Sequence, residues 1–279
     1  MTLWQGLCHL PTSWHPPMGR LLGKFLLIVA KDRKKIAQAN ISLCLSNLSA
    51  DDQKKILSNN FALLGKSIIE TGIAWFWSDA KIKKSIDYEI FGLDLLSIEN
   101  STKGNLIIFK HSQHLELDAR LLAINAEVYG VSRSHNSASM NKIQNKGRLS
   151  SIKGTADKDN PRKFIKWLKN GKNVLYAIDQ DYGWDNSAKL KFFNQETATI
   201  TTPKKIIDIT GSNLLFMNSY YEKNKIVLKL EALNSFGIDD KGLAQKINDF
   251  MEEKILLHPA EYLWAHRRFK STLGKSFYK

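Results

Sequence analysis

The chain has 279 residues, enough for one α/β domain with a substantial core or for two small domains. Its 43% hydrophobic content excludes a disordered chain, and its two cysteines, Cys8 and Cys44, form neither a disulfide framework nor a metal-type spacing and fit a reducing compartment. With 41 Lys and Arg against 27 Asp and Glu, the net charge is +14, which attracts phosphate on nucleic acid, on lipid headgroups or on an acidic carrier protein.

From the N-terminus, Leu21 to Ala30 is apolar except for Gly23 and Lys24. Ten residues fall short of the roughly 20 that a bilayer crossing needs. Pro11, Pro16 and Pro17 are expected to break any longer helix. Arg20, Lys24, Lys31, Arg33, Lys34 and Lys35 surround the run, and Trp4 and Trp14 precede it. Basic residues and tryptophans beside a short apolar helix read as a segment lying in a membrane interface, or as an ordinary amphipathic helix packed on the domain. No secretory signal pattern is expected there. The simplest division is residues 1–36 as this interface segment and 37–279 as a single domain.

Ser49 and the acidic residues after it cap a predicted helix from about Asp52 to Trp77, with Ile56, Phe61, Leu64, Ile68 and Ile73 on its apolar face. Asn105 to Phe109 reads as a buried strand, Leu115 to Val128 as a helix, and Lys163 to Lys169 as a short basic helix closed by Asn170-Gly171. Asn173 to Ile178 is a second buried strand with Asp179 at its end. Lys225 to Glu231 alternates as a half-exposed strand, and Lys241 to Leu257 reads as a helix. Interleaved strands and helices imply an α/β fold, with chemistry where strands end and helices begin.

One segment carries the pattern of a catalytic base. His111 falls in the turn after the first buried strand, and Glu116 falls in the first turn of the following helix. A carboxylate that holds one imidazole nitrogen fixes the tautomer and leaves the other nitrogen to take a proton from a hydroxyl. The helix N-terminus favours an anion at the same place. A surface histidine beside an acid, and a zinc site from His111, His114 and Glu116 or Asp118, are the competing readings. Ser112 lacks the Gly-x-Ser-x-Gly context of a nucleophile.

His111 to Glu116 has the His-x4-acid form of glycerolipid acyltransferases, and its context resembles the bacterial lipid A secondary acyltransferases. The resemblance rests on five pieces in order. They are Phe61 to Trp77, Lys103-Gly-Asn leading to His111, Glu116 and Leu117 to Leu122, Lys146-Gly-Arg148 as a basic turn, Asp179-Gln-Asp-Tyr-Gly183, and Tyr262 to Phe269. It implies a glycerolipid-acyltransferase-like fold, a central mixed sheet flanked by helices. It also implies transfer of a fatty acyl group from acyl-acyl carrier protein to a hydroxyacyl chain of a lipid A precursor, with no cofactor and no metal. In that scheme His111 is the general base and Glu116 its orienting partner. Arg148 binds phosphate or the developing oxyanion, and Asp179 supports the substrate site. The implied location is the cytoplasmic face of the inner membrane, held peripherally or by one N-terminal anchor. At position 112 that family usually carries a large apolar residue and at 118 a small one; Ser112 and Asp118 depart from both.

Acylation of a glycerophospholipid or another membrane lipid uses the same pair of residues. A nucleic-acid-binding protein would fit the charge, but basic and aromatic residues are not interleaved in a recognisable module, so nucleic acid is not an expected partner. The Trp264, His266, Arg267 and Arg268 cluster reads as structural or interfacial.

Overall fold

In a computed structural model of the protein, residues 3–97, 103–132 and 138–279 are described; the first two residues of the expected 1–36 segment lie outside this range. In chain order the elements begin with α1 (Leu3–Cys8), α2 (His15–Val29), α3 (Lys31–Cys44), α4 (Ala50–Phe76) and α5 (Asp79–Ser85). The α/β part follows with β1 (Tyr88–Phe91), β2 (Asn105–Phe109), α6 (Leu115–Asn125), β3 (Val128–Ser132), α7 (Ala138–Arg148), β4 (Thr155–Asp157), α8 (Pro161–Lys169) and β5 (Asn173–Ala177). The chain closes with the hairpin β6 (Ser187–Phe192) and β7 (Gln195–Ile200), α9 (Thr202–Thr210), β8 (Asn213–Glu222), β9 (Lys225–Ala232), α10 (Asp240–Leu257) and α11 (Lys270–Leu273).

Seven of these strands form one mixed sheet in the order β1-β9-β8-β2-β5-β3-β4, with helices on both faces. The strands β8, β2, β5, β3 and β4 run parallel to one another, and β9 is antiparallel to β8. Every residue of β2 is buried, as a strand covered on both faces requires. Leu106 and Ile108 enter one core with Phe164, Leu168 and Met251, while Ile107 and Phe109 enter the other with Leu117, Leu121 and Leu122. The α/β expectation and the mixed central sheet hold.

As expected, no helix runs through the proline segment: α1 ends at Cys8, and Pro16 and Pro17 open α2, where the first turn has no use for the N–H that proline lacks. One local expectation changes. The helix expected through Val128 stops at Asn125; Ala126 turns extended and Val128 starts β3.

Helix α2 lies on α4 through glycines. A Cβ on Gly65 would sit 2.2 Å from the Gly19 oxygen and 2.4 Å from the Gly23 nitrogen, so hydrogen is the only side chain that allows this approach. The outward face of α2 carries Leu21, Phe25 and Ile28, each more than half exposed and spaced i, i+4, i+7. Among the described residues no helix is long and apolar enough to cross a membrane.

Candidate active site

Register brings the two chemical segments together. β2 and β5 are adjacent and parallel, and Phe109 pairs with Ala177. Each strand then continues two residues, to His111 and to Asp179, which places the two side chains side by side above the sheet edge. His111 Nδ1 meets Asp179 Oδ1 at 2.5 Å, and the His111 backbone N–H donates to Asp179 Oδ2 at 2.8 Å. Both carboxylate oxygens therefore meet His111, and the Tyr262 side chain is hydrogen-bonded to the same carboxylate. Burial opposes ionisation of Asp179, yet the adjacent imidazole and the two hydrogen bonds from His111 bring its carboxyl down to about 2.

This arrangement fixes the tautomer. An ionised Asp179 accepts from Nδ1–H, which leaves a lone pair on Nε2. Gln180 donates to that nitrogen from its side-chain amide at 3.2 Å. The basic nitrogen faces a cavity of about 230 Å³ lined mainly by apolar groups, among them Phe109, Leu115, Ala119, Ile152, Leu175 and Ala177.

The carboxylate expected to orient His111 does something else. Glu116 also lines the cavity, but its oxygens accept from Arg148, whose Nε lies 3.1 and 3.2 Å from them and whose Nη2 is closer still. Trp75 Nε1 donates to the same carboxylate at 2.9 Å. Burial raises the Glu116 carboxyl, and the Arg148 charge with hydrogen bonds from Arg148, Trp75 and Gln144 holds it below the ordinary glutamate value. In this structure the partner of His111 is Asp179, and the partner of Glu116 is Arg148. The reason is geometric: Glu116 and His111 are near in sequence, but the intervening turn sends the glutamate toward α7, which Arg148 ends. Lys146-Gly147-Arg148 is the last turn of α7, not a free basic turn. Gly147 makes the approach possible, since a Cβ there would meet the Trp75 ring at 2.4 Å.

All four residues singled out in the sequence thus meet at one place: His111, Glu116 and Arg148 line the cavity, and Asp179 lies directly behind His111. Gln180, Trp75, Lys158 and Tyr182 complete the surroundings; Gln180 and Tyr182 lie in the Asp179 to Gly183 piece and Trp75 in the Phe61 to Trp77 piece, whereas Lys158 lies in none of the five. The other conspicuous polar residues hold the frame. Asp181 accepts from the backbone N–H of Gly183 and from both the N–H and hydroxyl of Ser271. His266, half-buried and held neutral with its pKa lowered to about 4 by desolvation, accepts from the Asp181 N–H. Arg268 donates to the Ala198 carbonyl and the Thr197 and Thr199 hydroxyls, and Trp264 donates to the Pro259 carbonyl. The structural expectation for this C-terminal cluster holds for these three side chains.

Behind the cavity a second set of ionisable groups is sealed in the core. His114 is clamped between Asp118, 2.7 Å from Nδ1, and Glu261, 3.1 Å from Nε2. Burial lowers its basicity, but the two carboxylates outweigh that and raise its pKa to about 9. Asp118 also accepts from the hydroxyls of Ser112 and Ser219, each at 2.7 Å. Backbone bonds run in parallel: Gln113 N–H to the Glu261 carbonyl at 2.8 Å and Leu263 N–H to the His111 carbonyl at 2.9 Å. The catalytic-type turn is thereby laced to the segment after α10.

Comparison with known proteins identifies the family. The profile of the bacterial lipid A biosynthesis acyltransferase family matches residues 1–271. The chain is 31% identical over 260 residues to the lipid A biosynthesis palmitoleoyltransferase of Escherichia coli K12, covering 91% of this chain and 84% of that protein. It is 33% identical over 262 residues to the lipid A biosynthesis lauroyltransferase of the same organism, with the same coverage. A lipid A biosynthesis acyltransferase of Haemophilus influenzae is 31% identical over 279 residues, covering 97% of this chain and 89% of its own length. Matched along nearly its whole length, and carrying a half-buried His111 paired with buried Asp179 at an apolar cavity, the chain is an acyltransferase of the bacterial lipid A biosynthesis family.

Proposed function

We propose that the protein transfers a fatty acyl group from an acyl-acyl carrier protein to the hydroxyl of a hydroxyacyl chain on a lipid A precursor. The observation that carries this reading is the His111–Asp179 contact of 2.5 Å at an apolar cavity, with Nε2 turned toward the space where a substrate hydroxyl would sit. In the forward step Nε2 takes the hydroxyl proton while the oxygen attacks the thioester carbonyl carbon. The carbonyl π pair moves to oxygen, forming a tetrahedral oxyanion. That intermediate collapses with cleavage of the carbon–sulfur bond, and the imidazolium returns the proton to the departing thiolate. Asp179 stabilises the imidazolium between the two transfers. Arg148, steadied by Glu116, supplies fixed positive charge at the cavity for a phosphate or the oxyanion. Glu116 therefore acts through Arg148 in this scheme, and the orienting role first assigned to it belongs to Asp179.

Relatives acting in lipid A biosynthesis support the acceptor class. Residues 1–36 serve as a membrane-interface segment on the 37–279 domain, and the enzyme sits peripherally on the cytoplasmic face of the inner membrane. The exposed Leu21, Phe25 and Ile28 stripe beside Arg20 and Lys24 supports this reading, because apolar groups enter the acyl boundary while the cations meet anionic headgroups.

The direct test supplies purified enzyme with a radiolabelled acyl carrier protein thioester and a lipid A precursor, and resolves the lipids by mass. Wild type is expected to add one acyl chain to the precursor, and a folded His111→Ala variant is expected to add none. Transfer retained by His111→Ala removes His111 as the base. Exclusive acylation of glycerophospholipid in the same assay removes the acceptor assignment.

A further inference from the structure

The outer face of α8 combines cation density, missing ion-pair partners and a place beside the cavity. Between residues 153 and 172 the sequence holds seven Lys or Arg and only two acids, Asp157 and Asp159. Within α8, Phe164 and Leu168 are buried against the sheet, and Arg162, Lys166 and Lys169 are exposed on the opposite side at i, i+4 and i+7. Among the described residues none of these three cations has a carboxylate partner. By contrast Lys158 pairs with Asp159 at 2.5 Å and Lys172 with Glu127 at 2.8 Å. Three like charges on one short stripe repel one another, so the stripe is stabilised by an anionic partner.

The stripe begins at the site. β4 leads directly into α8, and Thr155 in β4 and Lys158 just after it line the cavity. Lys163 in the first turn of α8 donates to the Thr155 carbonyl at 2.8 Å, which ties the helix to the cavity wall.

We propose that α8 is the docking surface for the acidic acyl carrier protein, with Arg162, Lys166 and Lys169 as its contacts and the thioester arm passing over Lys158 into the cavity. The proposal rests on the carrier-protein donor argued above. Lipid is the other anionic surface, and α8 does not have the form that binds it. α2 exposes Leu21, Phe25 and Ile28 among its cations, whereas α8 exposes no large apolar side chain. A cationic face without apolar anchors matches a soluble acidic protein, whose approach long-range attraction accelerates.

The test is a steady-state comparison of two donors, dodecanoyl-acyl carrier protein and dodecanoyl-pantetheine, which has the same thioester without the protein body. The variants are Arg162→Glu/Lys166→Glu/Lys169→Glu and, as a milder companion should the reversal impair folding, Arg162→Gln/Lys166→Gln/Lys169→Gln. Charge reversal is expected to raise KM for the carrier-protein donor about tenfold or more, with kcat and pantetheine turnover unchanged, and to flatten the salt dependence of that KM. The neutral variant is expected to do the same to a smaller degree. An unchanged carrier-protein KM in both variants, with wild type using that donor, overturns the docking surface alone. Wild type that uses the pantetheine thioester and not the carrier protein overturns the donor assignment and the surface with it. Lost binding to phosphatidylglycerol vesicles with an unchanged carrier-protein KM makes α8 a lipid-facing helix and also overturns the proposal.

Discussion

Ser112 Oγ donates to Asp118 Oδ2 at 2.7 Å, so the residue that follows His111 is tied to the first turn of α6. The pair is buried, and Asp118 takes up His114 and Ser219 as well. A large apolar residue at 112 with a small one at 118 would fill this space by packing; here the same space is filled by a satisfied polar network. Ser112 is one of three side chains that satisfy this carboxylate, which would be costly to bury without donors.

That coupling gives unequal predicted costs. Ser112→Ala removes one of several donors to Asp118 and is expected to cost about 1 kcal/mol of stability. Asp118→Ala strands the His114 imidazolium with a single carboxylate and is expected to cost about 3–5 kcal/mol. Urea unfolding of the two single variants and the double variant measures both terms. A double variant no worse than Asp118→Ala shows that the serine acts through the aspartate; strict additivity shows that it does not.

The pH dependence of stability follows from His114. Its folded pKa, about 9, lies above its ordinary value near 6.5, because Asp118 and Glu261 outweigh burial. The folded state therefore binds a proton that the unfolded chain releases, and the contribution is full below about pH 6.5 and lost as pH rises through about 9. The melting temperature is expected to fall by on the order of 5 °C between pH 7 and pH 9.5. Converting His114 to Gln should flatten that slope. A wild-type melting temperature constant across this window would show that His114 is not held protonated.

The two carboxylates near the cavity should separate by function. Asp179→Asn keeps shape but no longer favours the Nδ1–H tautomer, and kcat is expected to fall by roughly 10³–10⁴. Glu116→Gln leaves the His111 pair intact and loosens Arg148, so its effect should be smaller, on the order of 10–100-fold, and the pH at which activity rises should stay in place. Measured pH–rate profiles of both variants decide the matter. A profile displaced by Glu116→Gln and untouched by Asp179→Asn would return the orienting role to Glu116.

The glycine contact between α2 and α4 is open to a single substitution. Gly65→Ala places a methyl carbon inside the Gly19 and Gly23 backbone, and the two helices must separate. The expected cost is about 1–3 kcal/mol. It should be confined to the N-terminal helices, with limited proteolysis cutting before α4 while the sheet remains protected. Cleavage indistinguishable from wild type would show that α2 is not held by this contact.

How much of this was legible beforehand depended on distance along the chain. The stretch Asn105 to Phe109 could be read as a buried strand because both faces of β2 are covered and its residues are uniformly apolar. The start of α4, expected near Asp52 and found at Ala50, followed from Ser49, whose hydroxyl accepts from the Asp52 N–H. β8, by contrast, mixes Asn218, Ser219 and two tyrosines into its apolar run. Ser219 is explained only by the group it meets, the Asp118 carboxylate that accepts from its hydroxyl.

The resemblance to a family implied that an arginine and a glutamate belong to the same place; by itself the sequence determined that a histidine follows a buried strand at the start of a helix and that an aspartate follows another. Those are local facts, written in periodicity and in the order of motifs. Which carboxylate holds the imidazole was decided by tertiary structure alone. Strands β2 and β5 became neighbours in a register that sets position 111 beside position 179, and α7 offered its final arginine to Glu116. Contacts between residues tens of positions apart depend on which strands pair and in what register, and pairing is chosen by the packing of the whole core, to which no short stretch of sequence has access.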